Sequence, residues 1–227
     1  MNQLLFYILI FVVMGIGALV QIRLKSKFKE YSDQRLASGL TGREVAEKML
    51  RDSGIYDVRI TNTPGSLTDH YNPANKTINL SEEVYATNSV AAAAVAAHET
   101  GHAIQHAMGY APLRLRSALV PVVNFAGLTV QWVLLGGILL INIFPSLLLF
   151  GIILFALTTL FSFITLPVEI DASGRALAWL ERSGITSSAQ QPMAASALRT
   201  AAYTYVAAAL GSLVTLLYYV SIYSGRR

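Results

Sequence analysis

Residues 90–103 read VAAAAVAAHETGHA, an apolar, alanine-rich run that ends in two histidines and a glutamate. Alanine is the strongest helix former. Ser89 ahead of the run has the hydroxyl that caps a helix N-terminus, and Gly109 and Pro112 beyond it are stop signals. The stretch therefore predicts a helix opening at Ser89. On that helix His98 and His102 are one turn apart, so their rings face one side about 6 Å apart along the axis. Two imidazoles on one face can share a metal ion, each at about 2.0–2.1 Å. Glu99 is offset by about 100°. From there a carboxylate flanks the metal without filling its open coordination position, the place of a general base acting on bound water. This is the HExxH arrangement of zinc metalloproteases. His106 continues the same face, but it lies about 12 Å along the axis from His98, which makes it a wall residue or a partner behind the ligands.

Composition says where such a helix works. Of 227 residues, 54% are hydrophobic and only 13% are charged, about half the charge of an ordinary soluble domain, which carries roughly 25%. Three charge-free blocks carry the excess: Leu4–Val20 with 17 residues, Ser117–Val168 with 52 and Thr200–Gly225 with 26. A spanning helix needs about 20 apolar residues, so the middle block holds two spans, broken at Asn142-Ile143-Phe144-Pro145-Ser146. The first block is followed by Arg23, Lys25, Lys27 and Lys29, the reverse of a signal peptide's charge order, and is expected to be an uncleaved anchor. Twelve of the 17 basic residues fall in 21–116, three in 169–199, and two, Arg226 and Arg227, at the C-terminus. The positive-inside rule then makes both loops cytoplasmic and both termini external. Cysteine is absent, which excludes disulfides, thiolate catalysis and thiolate metal sites and leaves any metal to His, Asp and Glu. The basic charge is expected to meet lipid head groups; no nucleic-acid partner is expected.

Between the spans, Thr41-Gly42-Arg43-Glu44 has capping-box spacing and opens a helix running through about Arg51, closed by Gly54. Tyr56–Asn62 and Lys76–Leu80 alternate like strands, separated by the turn-rich TPGSLTDHYNPAN. Lys76–Leu80, with its preceding loop, is the expected edge strand that would add an extended substrate to the sheet. Asp69 and His70 in that loop fit equally an Asx-type turn and a role in substrate or oxyanion binding. Arg199, Tyr203 and Tyr205 are further oxyanion candidates, although Arg199 also fits a membrane-surface anchor.

A catalytic zinc takes three protein ligands and one open position. The third candidate is Glu169 in LPVEIDAS, where Pro167 is expected to start a new helix after the third span. Glu169 would then sit in a first turn, a place that also favours a carboxylate electrostatically. Asp171 competes for ligation from about 200° around that helix. It could instead pair with Arg175 or orient a ligand histidine.

AHETGHAIQH, LTDHYNPANKTINLSE, LPVEIDASGRAL and TYVAAAL together resemble the YugP-type membrane-bound neutral zinc metallopeptidases over nearly the whole chain. More distantly the chain is similar to HtpX-like membrane proteases. The resemblance implies His98, His102 and Glu169 as ligands of one Zn2+ per chain and Glu99 as catalytic base, a gluzincin-like set. Ser173 stands where the more distant pattern carries an acidic residue.

The expected protein is thus a mainly α membrane protein with about four transmembrane helices and a small α+β, zincin-like cytoplasmic part. Its segments are an anchor (1–22), the HExxH part (23–116), a transmembrane hairpin (117–167), a cytoplasmic helix with the third ligand (168–199) and a last span (200–227). The expected function is a zinc-dependent endopeptidase of the cell membrane. It cleaves membrane or membrane-proximal polypeptides at the cytoplasmic face, with a regulatory partner or homo-oligomer left open. An intramembrane metalloprotease and a non-catalytic zinc-binding adaptor are the competing readings. The charge count generates a topology test: a reporter fused after residue 60 reads cytoplasmic and one fused after residue 227 reads external, whereas both on one side contradict four spans.

Overall fold

The structure is a computed structural model, and it describes residues 3–225; Arg226 and Arg227, the pair counted at the external end, lie outside the described residues. Seven helices and three strands follow in the order α1 (Gln3–Ser32), α2 (Gly42–Asp52), β1 (Arg59–Thr63), β2 (His70–Asn72), β3 (Thr77–Ser81), α3 (Glu82–Tyr85), α4 (Val90–Ala107), α5 (Ala111–Leu139), α6 (Pro145–Arg182) and α7 (Gln191–Ser224). Four of them, α1, α5, α6 and α7, are long and apolar enough to cross a membrane. The chain divides into two compact units. One holds the residues up to Val20, Leu115–Leu166 and those from Thr204 onward; the other holds Gln21–Arg114 and Pro167–Tyr203.

In the first unit the break between the two middle helices falls at residues 140–144, ending at Pro145, which is the first residue of α6. There its missing N–H costs nothing, because the first turn has no acceptor to bond it to. The hairpin closes tightly: a Cβ on Gly137 would come within 2.6 Å of the Leu148 backbone. Ala126, Val130, Leu134, Leu148, Ile152 and Leu154 form its buried seam.

The second unit is built around α4. Ser89 caps it, accepting from the Ala92 N–H at 3.1 Å, and its alanines 91–94, 96 and 97 are buried. Side chains this small leave room for neighbours on several sides. The capping box of α2 forms as the spacing predicts, with Glu44 Oε2 accepting from the Thr41 N–H at 2.8 Å and Thr41 Oγ1 accepting from the Glu44 N–H at 3.4 Å. Val45, Met49 and Leu50 on the inner face of α2 are buried, each contributing about 1.5–3 kcal/mol. Gly42 lets this helix approach, since a Cβ there would strike the Val84 carbonyl.

Two expectations are corrected. The sheet order is β1-β3-β2, with β1 parallel and β2 antiparallel to β3. Lys76–Leu80 therefore becomes the central strand, and Ile78 and Leu80 are wholly buried. The edge beside it is His70–Asn72, inside the segment that reads as a loop. Three residues between Pro64-Gly65 and Pro73 are too short for a pattern of two to register. Second, Pro167 does not start a helix: it lies inside the continuous α6. Glu169 is therefore a mid-helix residue, and the helix N-terminus plays no part in holding its charge.

The close pass of α6 over α4 falls at Gly101. A Cβ added there would stand 2.6 Å from the carbonyl oxygen of Ala172, and Ala172 is fully buried. Gly101→Ala separates two readings by sign. In an open helix the change gains about 1 kcal/mol of propensity; against a backbone carbonyl it costs about 1–3 kcal/mol through overpacking. The expected result is a lower melting temperature in detergent; an unchanged or raised one would contradict the close approach.

Candidate metal centre

That close pass brings three side chains together. His98 and His102 project from one face of α4 with ring centroids 4.7 Å apart and planes near perpendicular. Glu169 of α6 points between them: its Oε2 is 3.2 Å from His98 Nε2 and 3.6 Å from His102 Nε2. The ligand atoms of the three residues all lie within 4.8 Å of one another. Atoms about 2.0–2.1 Å from a tetrahedral metal stand about 3.3 Å apart, so the observed spacings match two edges of such a site. Glu169 is 2% exposed and His102 6%. A carboxylate so deeply buried needs a compensating cation. At His102, burial opposes the charged ring. The hydrogen bond to Glu169 and the nearby Glu99 charge outweigh it and hold the imidazole above its usual value. A field that favours a proton there also favours a divalent cation. The donor set of two imidazoles and one carboxylate, with no thiolate anywhere in the chain, suits zinc.

The backs of both imidazoles are held. Ser173 Oγ lies 3.1 Å from His98 Nδ1, one helical turn beyond Glu169 on the same face of α6. His102 Nδ1 lies 3.0 Å from Gln105 Oε1. The Gln105 amide in turn donates to the Val168 carbonyl and to Asp171 Oδ2, both at 2.8 Å. Arg175 closes the chain by donating to Asp171 at 2.6 Å. Each Nδ1 thus has a hydrogen-bond partner; with a metal in place of the Nε2 protons, the same partners would hold each ring with Nε2 toward Glu169. Asp171 accordingly sits behind the cluster, paired with Arg175 and tied to His102 through Gln105. Gln105 and the hydroxyl of Ser173 are contributions that the motif alone did not reveal. Their signal was helical spacing, His102 plus three and Glu169 plus four.

Glu99 is 7% exposed. Among the described residues its carboxylate accepts no hydrogen bond and forms no ion pair, and its oxygens are not among the buried atoms that lack a partner, so they reach the surface. Its charge is felt at His102 and at Asp69. Burial raises the Asp69 carboxyl, which holds the Ser81 N–H at 2.7 Å and the Ser81 hydroxyl at 3.1 Å. Asp69 therefore pins the loop before β2 to the end of β3 through Ser81, twelve residues on, which is not the local bond of an Asx-type turn.

The remaining candidates separate. His70 is exposed, with Nδ1 2.8 Å from the carbonyl of Thr68 in its own loop. His106 meets the Tyr71 hydroxyl at 2.7 Å, joining α4 to β2, and is not a member of the trio. Burial, with a smaller contribution from Asp57, pushes the Tyr71 hydroxyl up to about 12, so it stays protonated beside His106. Arg199, Tyr203 and Tyr205 lie on exposed faces of α7. No hydrogen bond among the described residues joins Arg199 or Tyr203 to the cluster.

Residues 6–224 match the family model described as "Putative neutral zinc metallopeptidase". The chain is 42% identical over 224 residues to "Putative membrane protease YugP" of Bacillus subtilis (strain 168), covering 99% of both chains. No solved structure matches.

The geometry generates an expected pattern of metal content. Purified Glu169→Ala and His98→Ala lose zinc, whereas His106→Ala retains it, as measured by elemental analysis. Gln105→Leu keeps the ligands but frees the His102 ring, and weakens zinc affinity about 10–100-fold in chelator competition. Full zinc content in Glu169→Ala would move the third ligand elsewhere.

Proposed function

The chain belongs to this family of neutral zinc metallopeptidases, and from that premise we propose that it is a zinc-dependent endopeptidase in which His98, His102 and Glu169 hold the metal and Glu99 is the base. The observation that carries the reading is the pairing of a closely spaced His-His-Glu trio with a second carboxylate, Glu99, next to His98 on the same helix and held by no hydrogen bond or ion pair among the described residues. A bound zinc ion would supply Lewis acidity to the scissile carbonyl and lower the pKa of water. Glu99 takes the proton released as water attacks and returns it to the leaving amine. Ser173 and the Gln105–Asp171–Arg175 chain keep the two imidazoles in the tautomer that faces the metal. Asp69 and Tyr71, through Ser81 and His106, fix the short strand β2 against β3 and α4. The polypeptide substrate extends the sheet along β2, the role that the sequence alone had given to Lys76–Leu80.

The substrates are membrane proteins or polypeptides close to the bilayer, and the site faces the cytoplasm. The supports are the four apolar helices and the concentration of 15 of 17 basic residues in 21–116 and 169–199. All three candidate ligands belong to the unit made of Gln21–Arg114 and Pro167–Tyr203, which favours a membrane-proximal enzyme over an intramembrane one.

Glu99→Gln tests the chemistry apart from folding, because volume and helix propensity are kept while the proton acceptor is removed. General-base catalysis is worth about 10²–10⁴-fold. The expected variant binds zinc at wild-type stoichiometry and cleaves casein or a membrane-protein substrate slower by that factor. Equal cleavage by zinc-loaded wild type and Glu99→Gln would defeat the assignment.

A further inference from the structure

Most hydroxyls of the apolar helices satisfy themselves, with the buried Thr159 hydroxyl of α6 the exception. Thr129, Thr158, Ser162, Thr165, Ser212 and Thr215 each donate to a backbone carbonyl three or four residues earlier. The side-chain amides of Asn124 and Gln131 on α5 do not. Both are exposed, and neither makes a hydrogen bond among the described residues. They stand seven residues apart, about 10.5 Å along the axis, well inside the apolar part of a helix read as crossing the bilayer. Hydrocarbon offers an amide no partner, so a lipid-facing Asn or Gln in mid-span is driven toward another helix.

Their surroundings have the form of a helix–helix seam. Ser117, Pro121, Asn124, Leu128, Gln131 and Leu135 alternate in steps of four and three residues, the seven-residue repeat of a left-handed helix pair. All six are exposed, with Leu128 at 78% and Leu135 at 50%. Pro121 lies inside α5 and has no N–H to return to the Ser117 carbonyl, which adds an acceptor to the same line. Gly127, beside the seam, has nothing within 4 Å of a built Cβ, so a second backbone can come close. The buried side of α5, marked by Ala126, Val130 and Leu134, lies on the other side of the helix.

We propose that this face of α5 docks against the same face of a second copy of the chain in the membrane, Asn124 meeting Asn124 and Gln131 meeting Gln131 across a two-fold axis. The occupant follows from the chemistry. Copies inserted in one orientation are parallel, so at a seven-residue repeat each position of one helix meets the same position of the other. A carboxamide carries both donors and an acceptor and therefore pairs with its own kind. A different span would need matching polar groups at the same spacing, whereas a second copy supplies them by symmetry. This inference concerns the membrane helices and is independent of the metal centre.

The chain has no cysteine, so single cysteines report one position at a time. Leu128→Cys and Leu135→Cys, which keep both amides, are made in the full chain and oxidised in native membranes. Val122→Cys and Phe125→Cys are exposed controls turned about 140° and 80° from the centre of the seam. The expected result is a disulfide-linked band of twice the chain's mass at 128 and 135, several-fold stronger than at 122 and 125, and identified as chain-to-chain by mass spectrometry. Equal yields at all four positions, a maximum at 122, or a bond to a different polypeptide in place of the second copy would overturn it. Adding Asn124→Leu with Gln131→Leu to the Leu128→Cys chain should cut the linked band several-fold while circular dichroism keeps its helical signal. An undiminished band in that folded variant would overturn the pairing of the amides.

Discussion

The geometry of the His98–His102–Glu169 cluster depends on one contact, the passage of the α6 backbone at Ala172 over the missing side chain of Gly101. Helix axes normally pack 8–10 Å apart, set by the side chains between them; glycine against a backbone carbonyl lets the two axes come closer. Only because they do can the short side chain of Glu169 lie between His98 and His102, and the shorter one of Ser173 reach the back of His98. The motif is usually read for its ionisable residues. Here one of its two unspecified positions is as constrained as they are, and for a steric reason. The same device recurs at Gly42, where α2 meets the end of α3 and the start of α4.

The second constraint is electrostatic. Two acids, Glu99 and Glu169, and an imidazole, His102, belong to buried residues of a unit whose core is mostly alanine and aliphatic side chains. Glu169 is balanced by two imidazoles, and each imidazole is tied at its far nitrogen to a hydroxyl or an amide. Arg175 stabilises Asp171 at the surface end of that chain. Glu99 is the exception: its residue is 7% exposed, yet its carboxylate oxygens reach the surface and are bonded to no other side chain among the described residues.

Much of this was legible in the sequence. The helix at 90–107, its serine cap, the capping box at Thr41, the helix break at Pro145 and the four apolar helices all followed from periodicity and composition. His98, His102 and Glu169 were candidates before their distances were known. What escaped was set by tertiary structure. The β2 segment gains its strand character only by pairing with β3, so no local pattern announced it as the sheet edge. Pro167 reads as a helix start because its ring usually forbids interior positions, yet α6 carries it without ending. Gln105 and Ser173 look like ordinary polar helix residues until a second helix supplies the histidine or carboxylate that they bond.

The most direct test of the proposed centre is X-ray absorption at the zinc edge on the purified, zinc-loaded protein. The account predicts one zinc per chain with two imidazole nitrogens and carboxylate or water oxygens at about 2.0–2.2 Å, and loss of that first shell in Glu169→Ala. A shell of three or more imidazoles, or one unchanged by Glu169→Ala, would contradict it.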